Sequence, residues 1–228
     1  VLENISFTAE PGQTTAIIGS TGSGKSSVIS LIPRLYDVSA GQVLFDGVDV
    51  RDMDLKTLRK HIGFVPQKGI LFSGTIKSNI LFGAENNEDI MKDAAAQAEE
   101  FILSKEEGYN SSISQGGTNV SGGQKQRLSI ARAIAKKPEV YIFDDSFSAL
   151  DYKTDKMLRA ALKEKVGSAT VIIVAQRIST ILHAEKIIVM DEGKIVGMGT
   201  HEELLKNNDV YRQIALSQLS PKELGETA

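Results

Sequence analysis

The run Gly19-Ser20-Thr21-Gly22-Ser23-Gly24-Lys25-Ser26 constrains this chain more than any other feature. It fits the spacing G-x-x-x-x-G-K-[ST] without a gap, the pattern of a loop that cradles phosphate. Thr14 to Ile18 before it reads as a short buried strand. Ser26 opens a helix, Ser27 to Ile32. The glycines let the backbone turn so that successive N–H groups face an anion, and the helix start adds favourable dipole charge. Lys25 would reach the β- and γ-phosphates, and the Ser26 hydroxyl would ligate Mg²⁺. An ordinary glycine-rich turn carries no such strand and helix on its two sides.

Length and composition narrow the rest. At 228 residues the chain can bury a substantial core. Charged residues are 24% and hydrophobic ones 41%, as in globular domains generally. The net charge of −3 removes the electrostatic case for a nucleic-acid partner. No apolar run reaches the roughly 20 residues of a membrane span, and no signal peptide is visible. Cysteine is absent, which excludes disulfides. The chain begins at Val1, in mid-pattern, and reads as a domain excised from something longer.

Strands and helices alternate, which argues an α/β fold with a largely parallel sheet. Expected strands are Gln42 to Phe45, running into an Asp46-Gly47 turn, then Ile62 to Val65, Val140 to Phe143, Ala169 to Val174 and Lys186 to Met190. Asp191-Glu192-Gly193 turns into Lys194 to Val196 as an antiparallel hairpin. Between Thr75 and Pro138 no good strand is visible; Glu88 to Ser104 and Ser121 to Lys137 read as helices. The polar tail Ser217 to Ala228 is expected to fray. Tyr36, after the first helix, reads as a packing residue.

Chemistry gathers at strand ends. Asp144 follows Val140-Tyr141-Ile142-Phe143. A carboxylate at the carboxyl end of a buried strand sits where α/β sheets place ligands, and beside a phosphate loop that is a Mg²⁺ position; the plainer reading is a strand-end cap. Asp145 would stand where an attacking water is oriented, or is a surface carboxylate. Gln67 could offer its amide oxygen to the same Mg²⁺, though a Gln after Pro is also an ordinary loop residue. Ser121-Gly122-Gly123-Gln124 opens a helix and fits a capping box. A helix start with two glycines is also an approachable anion site. Two phosphate-binding helix starts in one chain suggest two chains sharing sites.

These motifs in this order resemble the nucleotide-binding domain of an ATP-binding cassette (ABC) transporter, over essentially the whole chain. The most specific part is Ser121-Gly122-Gly123-Gln124 followed by Lys-Gln-Arg-Leu-Ser-Ile-Ala-Arg-Ala. The segments Phe72 to Ile80 and Gly199 to Leu204 resemble the exporter branch. The resemblance implies one domain over 1–228: a P-loop NTPase core with mostly parallel sheet and an antiparallel β subdomain (1–74 and 139–228), and a helical insert (75–138). It implies Mg-ATP bound by Gly19 through Ser27, with Ser26, Gln67 and Asp144 at the metal. Two such domains would close head to tail. Ser121 and Gly123 would then touch the partner's γ-phosphate, Gln124 would complete that signature, and Ser148-Ala149-Leu150-Asp151 would line the seam. Gln67 and the helical insert would meet an upstream transmembrane domain, placing the chain on the cytoplasmic face of a membrane.

Two positions depart from the family pattern. Asp145 stands where Glu is usual, one methylene short. Gln176 stands where His is usual, and it can donate a hydrogen bond but carries no charge. His183 is no substitute, since it falls in the next helix, and His201 matches a structural position. A misplacement of about 1 Å can cost ~10²-fold in rate. The catalytic set Lys25, Asp145 and Gln176 therefore implies a slow site, as in the degenerate half of a heterodimeric multidrug-type exporter, with a consensus site on the partner. Gln115-Gly116 replaces a frequent Glu-Arg. The aromatic that stacks adenine is expected upstream of Val1, so weaker adenine binding is expected here. Alternatives are a regulatory ATP-binding domain that gates a channel, and a soluble cassette ATPase of DNA repair or translation.

Overall fold

Buried apolar runs form the parallel strands that the alternating pattern predicts. The computed structural model describes residues 2–148 and 167–219. They fall into two compact units, 1–59 with 170–228 and 60–169. In the first, β1 (Thr14–Gly19) pairs in parallel with β8 (Thr170–Val174) on one side and β9 (Lys186–Asp191) on the other. Ala16, Ile17, Ile18, Ile172, Ile187 and Val189 are buried, as strands covered on both faces require. Glu192 and Gly193, at φ +43° and +79°, turn the chain into antiparallel β10 (Lys194–Gly199). Asp46 and Gly47, at φ +48° and +81°, make the analogous tight turn between β2 (Leu44–Phe45) and β3 (Val48–Asp49). Helices α1 (Lys25–Leu31), α7 (Ile178–Ile181), α8 (His201–Asn207) and α9 (Asp209–Gln218) complete the unit, and α2 (Leu55–Lys60) leads out of it.

In the second unit β4 (Ile62–Val65) runs parallel to β7 (Val140–Asp144), with Ile62 opposite Val140. Helix α6 (Gly122–Ala135) buries Leu128, Ile130, Ala131, Ile134 and Ala135. Against it pack α3 (Ile76–Ile80) and α4 (Glu88–Ala95), whose starts are capped by Thr75 and Asn87. Helix α5 (Glu99–Leu103) follows a 3-10 turn at Ala96–Ala98. The fold is thus α/β with a mostly parallel sheet and separate antiparallel strand pairs.

Several local expectations need correction. The helix expected over 88–104 is broken, because Ala98 leaves helical geometry at φ −115°, ψ 1°. Met91, Ala94, Ala95, Ala98, Phe101 and Ile102 keep a continuous helical spacing and all stay buried, so the pattern does not betray the break. The insert does hold a strand: β6 (Ser112–Ile113) pairs with β5 (Gly74–Thr75). Two residues are too few to leave a periodic signal. The strand expected from Gln42 starts only at Leu44, while β10 extends past Val196 to Gly199. Tyr36 is not a packing residue, being 70% exposed. His183 lies in a turn past the end of α7 rather than within a helix. Ser217 and Gln218 are helical, anchored by Tyr211, Ala215 and Leu219, which are buried.

Candidate functional site

The phosphate loop belongs to the first unit. β1 ends at Gly19, where a Cβ would stand 2.0 Å from the Met190 carbonyl oxygen. No side chain fits there. Gly24 caps α1 at φ +96°, a left-handed conformation that costs glycine little. Lys25, the first residue of α1, is 8% exposed. Its ammonium turns back into the loop and donates to the carbonyls of Gly19 (2.8 Å) and Ser20 (2.7 Å). Ser23 Oγ lies 3.4 Å away, and Ser20 Oγ reaches Asp191 at 3.4 Å. A sequestered cation held inside a ring of backbone is a fitting receptor for phosphate oxygens. Ser20, Thr21, Gly22, Ser26 and Ser27 are exposed along the loop and the first turn of α1.

Gln176 belongs to the same unit, two residues past the end of β8. The main chain there is held firmly although the side chain is exposed. Ala175 N–H still bonds to Ile17 on β1 at 3.1 Å. The Gln176 carbonyl accepts from Gln218 Nε2 at 2.8 Å, and Gln218 Oε1 accepts from Ile178 N–H at 2.8 Å. His201, at the start of α8, is bound by its Nδ1 to the Tyr211 hydroxyl at 2.7 Å. Burial lowers the His201 pKa from its ordinary value. That is a packing role.

The second unit carries the acidic residues. Asp144 ends β7, half-buried, and Asp145 follows in a left-handed conformation, φ +45°. Left-handed backbone suits Asp better than most residues. Asp145 is 6% exposed, and its Oδ2 accepts from Gln67 Nε2 at 3.1 Å. The Gln67 amide NH₂ is turned to Asp145, and its oxygen is the atom expected at Mg²⁺. The turn is pinned by Ser146, fully buried, whose hydroxyl donates to the Val65 carbonyl at 2.8 Å. Ser148 Oγ donates back to the Asp145 carbonyl at 2.8 Å. Ala149, Leu150 and Asp151 lie outside the described residues.

Ser121 caps α6, and the box is complete. Gln124 N–H donates to Ser121 Oγ at 3.3 Å, and Ser121 N–H donates to Gln124 Oε1 at 2.9 Å. Gly122 and Gly123 form the open first turn. Further along α6, two residues of the signature run that carry no role in the sequence reading, Gln126 and Arg132, hold the Gln67 segment. Buried Gln126 donates to the Pro66 carbonyl at 3.1 Å. Arg132 donates to Asn79 O, Asn79 Oδ1 and the Ile70 carbonyl, each at 2.8 Å, and stacks on Phe72 at 5.0 Å. Burial lowers the Arg132 pKa to about 10, so it stays charged at neutral pH. Asn79 also brackets Phe72, accepting from its N–H and donating to its carbonyl. Gln115 and Gly116 lie in a 3-10 turn.

Among the described residues no three His, Cys, Asp or Glu side chains cluster to hold a metal by themselves. Ser26 in the first unit carries a hydroxyl and Asp144 in the second a carboxylate, each a hard oxygen donor of the kind Mg²⁺ takes. Among the described residues no helix is long and apolar enough to cross a membrane.

Comparison with known proteins agrees with this chemistry. The family model "ABC transporter" matches residues 2–148. An uncharacterized ABC transporter ATP-binding protein of Mycobacterium tuberculosis is 50% identical over 224 residues, 96% of this chain and 38% of that protein. The ATP-dependent lipid A-core flippase of Saccharophagus degradans is 43% identical, with 96% of this chain and 38% of that protein covered. A solved structure of a bacterial Atm1-family ABC exporter with ATP bound superposes with a TM-score of 0.92 at 34% identity, covering 96% of this chain and 39% of that one. The chain thus spans about two fifths of the length of these relatives. With its phosphate loop, strand-end aspartates and capped Ser-Gly-Gly-Gln helix, this chain belongs to the ABC transporter family.

Proposed function

We propose that this chain is the ATP-binding motor domain of a membrane exporter, working at the cytoplasmic face of the membrane. It binds Mg-ATP through Gly19 to Ser27, with Lys25 on the phosphates and Ser26, Asp144 and Gln67 as the Mg²⁺ shell. Mg²⁺ supplies charge neutralisation at the phosphates. Asp145 orients the attacking water and Gln176 donates to the γ-phosphate. Both are weaker than the residues usual at these positions, so turnover at this site is slow. Ser121 to Gln124 act on ATP held by a second nucleotide-binding domain, a different chain with a consensus catalytic site. The segment 75–138 and the Gln67 region meet the transmembrane domain.

The observation that carries this reading is the coexistence in one chain of a phosphate loop filled by Lys25 and an open, capped Ser-Gly-Gly-Gln helix start. A site that needed only one chain would have no use for the second. The exporter and the flippase among the similar proteins support the transport direction. The test is ATP turnover by the assembled transporter, wild type against the double change Asp145→Glu and Gln176→His. A clear rise is expected, and no gain would sink the slow-site reading. Ser121→Arg in this chain should abolish the partner's hydrolysis; full activity would remove the role in trans.

A further inference from the structure

Helix α7 begins without a cap of its own. Its N-cap residue, Arg177, makes no side-chain capping bond. The first N–H groups of a helix have no partner inside the helix, and an uncapped start frays. Here the amide of Gln218, forty residues on, takes the place of the missing cap. Its oxygen accepts from Ile178 N–H and its nitrogen donates to the Gln176 carbonyl, both at 2.8 Å. One planar side chain thus grips the main chain on both sides of Arg177, which leaves residues 176–178 little freedom to rotate. Gln218 is itself the last residue of α9, and α9 is seated by Tyr211 and Ala215, both fully buried, and by Leu219.

We infer that Gln218 is the positioning residue for Gln176: the carboxyl-terminal helix sets where the γ-phosphate donor stands. This rests on the reading of Gln176 given above. Gln176 sits on an exposed bend after β8. The double amide contact ties the backbone on both sides of this bend to α9. Gln and no smaller or singly functional side chain can do this, because the grip needs a donor and an acceptor on one rigid plane. Glu keeps the acceptor for Ile178 and loses the donor. Leu keeps bulk and loses both.

The experiment uses the full-length chain assembled with its partner, in the background carrying Asp145→Glu and Gln176→His, where the added turnover of this site is measurable. Gln218→Leu should remove about tenfold of that added turnover with the KM for ATP changed less than twofold, the effect of losing roughly two hydrogen bonds from a positioned group. Hydrogen exchange of the 176–178 amides should speed up in Gln218→Leu, while Gln218→Glu keeps Ile178 protected. Ser217→Ala, one residue away, should change neither reading. Unchanged exchange at 176–178, or full added turnover in Gln218→Leu, would overturn the assignment. Absence of any added turnover in the background itself would instead indict the slow-site reading, and the exchange measurement would still decide the role of Gln218.

Discussion

Replacing Arg132 by Met tests the network that ties α6 to residues 70–79. Methionine keeps most of the stem and removes the guanidinium. Three charge-assisted bonds go, to Asn79 O, Asn79 Oδ1 and the Ile70 carbonyl. So does the stacking on Phe72 and, at 5.9 Å, on Phe82. Bonds from a charged donor contribute about 1.5–3 kcal/mol each, and three bonds from one group are far from additive. A net loss of about 3 kcal/mol is therefore expected. Asn79 is 1% exposed, so its freed carbonyl finds no ready water. For a domain of this size 3 kcal/mol lowers Tm by about 6–12 °C. Thermal unfolding followed by circular dichroism measures it. Arg132→Lys, which restores one donor but no planar fork, should fall between. A drop below about 2 °C in Arg132→Met would refute the claim that this network stabilises the fold.

Two further outcomes follow from single groups. Burial raises the Tyr141 pKa to about 12, above the ordinary value of 10. A raised folded value means the unfolded chain loses its proton first, so this contribution is intact below pH 10 and is lost as pH rises toward 12. Denaturant unfolding across that window should show wild type losing about 2 kcal/mol more than Tyr141→Phe; parallel curves would contradict it. Lys25→Met should weaken ATP binding by about a hundredfold in a fluorescent-nucleotide titration, since a buried, charge-assisted donor is lost; an unchanged Kd would place the phosphates elsewhere.

The parallel strands were legible because buried strands leave runs such as Ala16-Ile17-Ile18 and Ile172-Ile173-Val174, and the phosphate loop because its backbone geometry demands glycine at set positions. The capping box at Ser121 was legible for the same local reason, as both partners lie within four residues. What escaped the sequence was non-local. The bonds from Gln126 to Pro66, from Arg132 to Asn79 and from Gln218 to Gln176 join residues forty to sixty positions apart. No periodicity records a glutamine's partner. The break at Ala98 was hidden for the opposite reason: its alanines suit a continuous helix, and only backbone angles reveal the interruption.

The left-handed turn at Asp145 has a consequence for how this site could change. Longer side chains such as Glu are less at ease there, since left-handed backbone costs roughly 1–2 kcal/mol for residues other than Gly, Asn and Asp. Asp145→Glu would also move the carboxylate one methylene away from where Gln67 now meets it. If Asp145→Glu speeds the site as proposed, the gain would come with a slightly less stable fold and with the Gln67 bond disturbed. On that reading rate and folded fraction become opposing quantities at a single residue.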